Sequence, residues 1–273
     1  MRINESLAIS TSKILLVPYD AHHVQRYHQW MQDEDLREAT ASDLLTLEEE
    51  YENQQSWRTA HDKLTFIVCQ PATITSTADA DTDAAIFAGE DDAEARMVGD
   101  VNLFLTPDEE DEEDAEAGGN NHASEGEKVD NSEKGKTQTN HVKGEIDIMI
   151  ASPSHRRKGC GEAAVRAFLR FLVRHHGAIL EEYAAATTSS ATPSTSAPHR
   201  LKRLMAKINA DNTGSIRLFE KVGFRRHGEP NYFNEVSMVL SDFLPLATGT
   251  GSEAEADRRS YRECFYDRSR LKE

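Results

Sequence analysis

Apolar and polar positions along the chain follow a strand period in some segments and a helix period in others. Short apolar runs predict strands at 13–19, 64–69, 97–105, 144–152, 200–208 and 232–240. Apolar residues at helical spacing predict helices at 22–31, 46–58, 162–176 and after Asn212. The pattern therefore indicates one core built from strands and helices together.

The predicted helices carry recognisable end signals. Thr46 and Glu49 have the spacing of a capping box, in which each side chain bonds the other residue's backbone. Gly177 fits the C′ position of the helix at 162–176. Asn212 is a good N-cap, able to accept a hydrogen bond from the backbone N–H of Ser215.

Three low-complexity segments interrupt this pattern, and we expect each to be a disordered insert because few large apolar groups are present to bury. They cover 71–96, 106–143 and 182–198. Loop-closure entropy grows slowly with length, so a hairpin can carry the longest insert, and its flanking strands are expected to pair antiparallel. Residues 241–273 form a polar C-terminal tail or a short docking helix.

The net charge of −17 is concentrated in two of these inserts. Segment 71–96 contributes −6 and segment 106–143 contributes −8, which leaves −3 for the rest of the chain. Nucleic acid is therefore not expected as a partner, since phosphate binding needs a basic surface. The absence of an apolar run of about 20 residues argues against a membrane span.

The chain is expected to be an intracellular protein with reduced thiols. Its start lacks the apolar core of a secretory signal. Cys69, Cys160 and Cys264 are far apart and odd in number, which fits neither a disulfide framework nor a metal site. We expect a cytoplasmic location, with the nucleus as the alternative.

The segment from Gly144 to Gly161 is the most informative part of the sequence. A strand ending at Ala151 is followed by Arg-Arg-Lys-Gly-Cys-Gly and then by an amphipathic helix. Such a loop can direct backbone N–H groups at a phosphate, and the helix dipole favours the negative charge. The spacing differs from both the Walker pattern and the dinucleotide fingerprint, so ATP and NAD are disfavoured.

Two carboxylates project from the strand that enters this loop. Glu145 and Asp147 lie on one face of an extended strand, and either could act as a general base if its pKa were raised toward neutral. The alternative is that both are solvated acids on a half-exposed strand. A nucleophilic role for Cys160 is disfavoured, because no histidine is evidently paired with it.

Histidine pairs and aromatic residues also admit more than one interpretation. Neighbours on a helix point in different directions, so the pairs at 22–23 and 175–176 are expected to be surface histidines, and no metal is expected. The aromatic side chains of the first two helices either pack in the core or line an acceptor groove; they are Tyr27, Trp30, Tyr51 and Trp57.

Two motifs resemble the GNAT superfamily of acetyl-CoA-dependent N-acetyltransferases. The segment 156–161 resembles its pyrophosphate motif, and 212–224, with Asn-x-x-Ser and a helix ending in Gly-Phe, resembles its second signature. The strands at 13–19, 97–105 and 144–151 are most similar to the eukaryotic N-acetyltransferase-nine-like branch. The resemblance implies an α/β (α+β) fold with a mixed, mostly antiparallel central sheet, over residues 13–240.

The resemblance also implies how acetyl-CoA would bind. Free backbone groups near Met149 and Ile150 would pair with the pantetheine arm, while Asn212 would face the pantetheine or sulfur end or serve only as a helix cap. Arg156 and Lys158 would add positive charge. Backbone N–H groups would hold the pyrophosphate along the loop formed by Arg157, Lys158, Gly159, Cys160, Gly161 and Glu162.

The implied reaction is direct attack of an amine on the acetyl thioester. Glu145 is the preferred base and Asp147 the second choice. Phe219 stands where many members have a tyrosine that protonates the leaving thiolate. The leading hypothesis is a monomeric N-acetyltransferase acting on a primary amine of a protein or peptide. A weakly active or non-catalytic acetyl-CoA-binding protein and a small-molecule acetyltransferase are the alternatives.

Overall fold

The computed structural model describes residues 1–72, 85–108, 140–187, 198–241, 243 and 260–271. Most of the three predicted inserts lies outside these described residues. The strands are β1 Leu7–Ser10, β2 Leu15–Pro18, β3 Lys63–Cys69, β4 Ile86–Phe87, β5 Met97–Pro107, β6 Asn140–Ile150, β7 His199–Asn209, β8 Arg225–His227, β9 Glu235–Leu240 and β10 Arg262–Asp267. The α-helices are α1 Val24–Trp30, α2 Glu34–Thr40, α3 Leu47–Thr59, α4 Cys160–Thr187 and α5 Thr213–Lys221.

The strands form one mixed sheet in the order β4-β10-β1-β2-β3-β5-β6-β7-β9-β8. Only the β4–β10 and β6–β7 pairs are parallel among the described strands. Strands β5 and β6 pair antiparallel from Gly99 opposite Ile150 to Pro107 opposite Val142, which confirms the predicted hairpin. The mostly antiparallel architecture expected from the family resemblance is therefore confirmed.

Helices cover both faces of this sheet, and each face has its own buried cluster. The apolar stripe of α4, including Phe168 and Phe171, packs on one face against Phe66 with ring centroids 5.9 and 5.3 Å apart. On the other face Tyr27 and Trp30 of α1 belong to a second cluster. None of the described helices is both long and apolar enough to cross a membrane.

Helix α4 is longer than the sequence pattern predicted. It continues through Gly177, so the assignment of that glycine as a C′ residue was wrong, and residues 182–187 of the third predicted insert are helical. Ile179, Leu180 and Tyr183 are buried in the same cluster as the first half of the helix. Their packing outweighs the cost of about 1 kcal/mol for a glycine inside a helix.

The sheet also extends beyond the limits predicted for the domain. Residues 262–267 form β10, not part of a tail or a helix, and pair antiparallel with β1, which the sequence pattern missed. Residues 85–96 of the first predicted insert are folded, since β4 pairs with β10 and Ile86, Ala88 and Asp92 are buried. Long-range pairing of this kind leaves little trace in local composition.

Candidate active site

A cleft of about 840 Å³ opens where four elements meet. Its walls are β6 residues 148–150, the loop and first turn of α4 at 155–162, the start of α5 at 212–218, and α2. The two motifs identified in the sequence are therefore brought together in space. Helix α2, which the sequence pattern missed, contributes Asp35 and Leu36 to the lining, together with its N-cap residue Asp33.

The cleft exists because β6 and β7 separate. Their parallel pairing ends at Glu145 opposite Met205, although β7 continues to Asn209 in its pairing with β9. Beyond Glu145, none of the described strands pairs with the edge of β6 that faced β7, and residues 148–150 line the cleft. An extended substrate arm can hydrogen-bond to such an edge as an added strand would.

The loop between β6 and α4 has the backbone geometry of an anion site. Arg157 and Gly159 have positive φ angles of 64° and 81°, so two residues of the turn at 156–159 are in the left-handed region. Left-handed residues in a turn can bring neighbouring N–H groups to one side of the chain, as in anion-binding turns. The first N–H groups of α4, at Cys160, Gly161 and Glu162, lack intrahelical acceptors by geometry and carry the positive end of the helix dipole.

The cations around the loop have distinct roles. Arg156 donates hydrogen bonds to the carbonyl oxygens of Ile150 (2.8 Å) and Ala151 (3.2 Å), so it ties the loop to the end of β6 as well as lining the cleft. Arg157 lines the cleft, while Lys158 is exposed beside it. Lys13, from the β1–β2 turn, lies near Gly159 and was not identified from the sequence.

The glycine and asparagine of the two motifs set the distance between α4 and α5. A Cβ on Gly161 would lie 2.9 Å from Leu218 Cδ1, so a larger residue at 161 would require the Leu218 side chain to shift. Asn212 Oδ1 accepts the backbone N–H of Ser215 at 3.1 Å, as predicted, and the residue also lines the cleft. Its two proposed roles, helix cap and cleft residue, are compatible.

The two candidate bases differ in their surroundings. Glu145 accepts a hydrogen bond from Lys207 Nζ at 2.9 Å, which engages it in an ion pair. Asp147 is exposed, but the surrounding protein partly desolvates it, and this desolvation together with the charge of Glu145 raises the pKa of Asp147 to about 6. Asp147 therefore fits a general base better than Glu145.

Behind Asp147 lies a buried acid that the sequence pattern did not single out. Asp100 on β5 is 2% exposed, and burial raises the pKa of its carboxyl to about 7 although Asn102 donates a hydrogen bond to it. A carboxyl group kept inside a sheet at this cost is more typical of a functional site than of a structural core. The one signal for Asp100 in the sequence is that it is an acidic residue inside the apolar run at 97–105, which predicts a buried strand.

Phe219 does not face the cleft. It is 2% exposed and packs edge-to-face on Phe224, with ring centroids 4.9 Å apart. The Phe219 ring is therefore part of the core and not of the cleft wall. Thr213 and Ser215 supply hydroxyl groups among the cleft-lining residues.

Several other sequence expectations are corrected. His23 is fully buried, and His22 and His23 both donate through Nε2 to Asp92 Oδ2, at 3.2 and 3.0 Å, because they meet at a helix start and not along a regular helix. His23 Nδ1 accepts the Asp20 N–H, so the Nε2 proton is used for Asp92. The imidazole nitrogen and carboxylate oxygen atoms of these three residues lie within 4.8 Å of one another, so the side chains form a hydrogen-bonded cluster.

The aromatic residues of the first two predicted helices differ in burial. Tyr27 and Trp30 are core residues, whereas Tyr51 is 41% exposed.

Comparison with known proteins agrees with this geometry. The family model described as an acetyltransferase (GNAT) domain matches residues 13–225. The chain is 33% identical over 246 residues to an N-acetyltransferase 9-like protein of Schizosaccharomyces pombe, covering 88% of this chain and 98% of the relative. It is 35% identical over 244 residues to the alpha/beta-tubulin-N-acetyltransferase 9 of Homo sapiens, covering 88% and 86%.

A solved structure of a ribosomal L7/L12 alpha-N-protein acetyltransferase in complex with coenzyme A aligns over 86% of this chain and 97% of its own, with 11% identity and a TM-score of 0.49. The family match spans the separated β6 and β7 strands, the loop at 155–162 and the start of α5. The chain belongs to the GNAT family of N-acetyltransferases.

Proposed function

We propose that this N-acetyltransferase moves the acetyl group of acetyl-CoA to a primary amine of a protein or peptide in the cytoplasm. The observation that carries the proposal is the cleft, in which an edge of β6 that none of the described strands pairs leads, through the loop at 151–159, to the N-terminus of α4. An extended polar arm ending in a pyrophosphate has the two features that these elements bind. Acetyl-CoA combines both features with a reactive thioester.

The residues of the cleft would bind and orient this co-substrate. Backbone groups at Met149 and Ile150 would pair with the pantetheine arm, and N–H groups from Arg157 to Glu162 would hold the pyrophosphate. Gly159 and Gly161 permit the close approach of the backbone, and Cys160 lines the wall between them. Arg157 and Arg217 supply positive charge at the opening. Positioning two reactants in this way can supply a large share of the rate enhancement.

Asp147 would remove the proton from the acceptor amine. Its carboxylate lies on β6, two residues before Met149 of the cleft wall, and its raised pKa suits proton transfer near neutral pH. Glu145 and Lys207 form an ion pair beside it. We propose Asp147 as the base and Glu145 as the neighbour that tunes it, which reverses the order expected from the sequence.

Tubulin is the first acceptor to test, because the human and other animal relatives are named for it. Peptides that begin with the amino termini of α- and β-tubulin, each with a free or a blocked amino group, are incubated with acetyl-CoA and analysed by mass spectrometry. Acetylation of the peptides with a free amino group, and not of the blocked peptides, supports an α-amine acceptor.

The same assay tests whether the reaction needs a metal ion. Addition of a chelator is expected to leave the rate of acetylation unchanged. Loss of all turnover in the presence of the chelator would contradict a metal-free reaction.

Calorimetry with acetyl-CoA tests the cofactor half of the proposal. Arg157→Glu reverses a charge in the cleft and is expected to weaken binding by about tenfold or more. Arg200→Glu is the matched control, since Arg200 is exposed near the start of β7, at the far end of the sheet from the loop. Equal loss of affinity in both variants, or no binding by the unmodified protein, would contradict the proposal.

A further inference from the structure

Strand β8 lies at one end of the sheet, and its outer edge is open. It pairs with β9 from Arg225 opposite Val239 to His227 opposite Ser237, and no other described strand pairs with it. All three of its residues, Arg225, Arg226 and His227, are exposed. The backbone N–H and C=O groups along the outer edge of such a strand can form hydrogen bonds with an added strand.

The two arginines of β8 lie on opposite faces of the sheet. Arg226 is opposite Met238, which belongs to the buried cluster that α4 and α5 cover. Arg225 is opposite Val239, so it lies on the other face. Residues directly opposite each other share a face of a sheet, and neighbours along a strand alternate between faces. Positive charge is therefore present on both sides of the open edge.

Neither arginine is neutralised by an acid within the described part of the chain. The side chains of Arg225 and Arg226 form no hydrogen bond or ion pair with another described residue. By contrast, Arg166 and Lys221 near the cleft are both paired with Glu162 of α4. The two arginines of β8 can therefore bind a new anionic group without breaking a pair that the described residues already form.

The placement of these charges selects the kind of strand that the edge can bind. Charged side chains on an edge strand discourage pairing with other sheet edges, but they attract a strand of opposite charge. Since successive side chains of a strand alternate between faces, a segment with acids at consecutive positions places carboxylates against both Arg225 and Arg226. A segment with acids only at alternate positions would reach one of the two arginines.

We propose that the outer edge of β8 is a docking site for an extended segment of a partner protein that contains several consecutive acidic residues. The segment adds to the sheet as a further strand, and its carboxylates pair with Arg225 on one face and Arg226 on the other. No residue of β8 lines the cleft, so the docking site is separate from the acetyl-CoA site. The inference goes beyond the proposed function and does not depend on acetyl transfer.

The test measures binding of a fluorescently labelled octaglutamate peptide to the full chain by anisotropy, with and without saturating acetyl-CoA. The double variant Arg225→Glu/Arg226→Glu reverses both charges of the docking site. Arg200→Glu/Arg262→Glu is the matched control, because both arginines are exposed on other strands of the sheet and the net charge changes equally. A second peptide of the same charge, with all of its backbone amides N-methylated, tests the backbone hydrogen bonds.

Arg225→Glu/Arg226→Glu is expected to weaken peptide binding by about tenfold or more, because each reversal replaces an attraction with a repulsion. The control variant is expected to change the affinity by less than about threefold. The N-methylated peptide is expected to bind at least about tenfold more weakly, because it cannot donate the hydrogen bonds of an added strand. Saturating acetyl-CoA is expected to leave peptide binding unchanged, and hydrogen exchange should show protection at 225–227.

Four results would overturn the inference: no binding by the unmodified protein, equal weakening in both double variants, displacement of the peptide by acetyl-CoA, or equal binding of the N-methylated peptide. Tighter binding of an octauridylate RNA than of the peptide would also overturn it, in favour of a nucleic acid. If the charge-reversed variant does not fold, Arg225→Gln/Arg226→Gln removes the same charges without adding repulsion. Failure to bind acetyl-CoA would defeat the proposed function and leave this inference intact.

Discussion

At the scale of single residues, the carboxylates of Glu145 and Asp147 lie on the same face of β6 but have different surroundings. The alternation of side chains along β6 predicted that Glu145 and Asp147 would lie on the same face, and the structure places both there. Their difference comes from neighbours distant in sequence, because Lys207 of β7 pairs with Glu145 while the protein around Asp147 displaces water. Spacing alone therefore identified the pair but not the better base.

Substitution of the two carboxylates should separate their roles. Asp147→Asn is expected to lower kcat/KM by about 100-fold, whereas Glu145→Gln should lower it by less than about tenfold. A larger loss in Glu145→Gln would restore Glu145 as the base.

The pH dependence of the unmodified enzyme gives a second prediction. The value of kcat/KM should rise with pH through about 6, because the base must be ionised and the pKa of Asp147 is raised to that value. Steady-state rates measured from pH 5 to 9 check this.

The sequence motifs gave the positions of the candidate residues along the chain, but not the direction of their side chains. Arg156 was expected to add charge for a phosphate, yet its guanidinium bonds the carbonyls that end β6. Phe219 was expected beside the leaving thiolate, yet it packs in the core. A motif gives positions along the chain, whereas orientation depends on packing partners that no local pattern contains.

At the scale of elements, strand and helix order was predictable because apolar periodicity reflects which face is buried. The capping box at Thr46 and Glu49 and the N-cap at Asn212 are both present as predicted. The end of α4 was not predictable, since glycine is a common stop signal and only tertiary packing of Ile179 and Tyr183 reveals its continuation. Short elements such as α2 and β1 lack enough residues to show a period.

The position of Gly177 inside α4 gives a stability prediction. A Cβ at Gly177 would contact nothing within 4 Å, so Gly177→Ala should raise the free energy of unfolding by about 1 kcal/mol through helix propensity. Gly223→Ala is the control and should destabilise, because Gly223 has a φ of 105°. Thermal unfolding measures both. Destabilisation by Gly177→Ala would mean that the helix ends there, as the sequence suggested.

At the scale of the whole molecule, segments far apart in the chain meet around Asp92. Its carboxylate accepts hydrogen bonds from His22, His23 and the Tyr266 hydroxyl, and from the Gly89 N–H at 2.6 Å. Burial alone would raise the pKa of Asp92, but these donors hold it far below its ordinary range. The cluster joins the start of α1, the segment after β4 and the final strand.

Loss of the Asp92 charge should therefore weaken the whole fold. Asp92→Asn is expected to lower the free energy of unfolding by about 3 kcal/mol, because the amide replaces an acceptor oxygen with a donor among buried donors. Glu90→Gln, which breaks the exposed pair with Arg270, should change it by less than about 1 kcal/mol. Urea unfolding provides both values. Similar losses in the two variants would show that Asp92 has no special structural role.

The central claim is that acetyl-CoA occupies the cleft between the separated strands. Amide hydrogen exchange with and without acetyl-CoA tests it most directly, because it reports where backbone groups become protected. Protection is predicted at 148–162 and 212–218, with little change in β10. Protection confined to other regions, or no change with saturating acetyl-CoA, would contradict the claim.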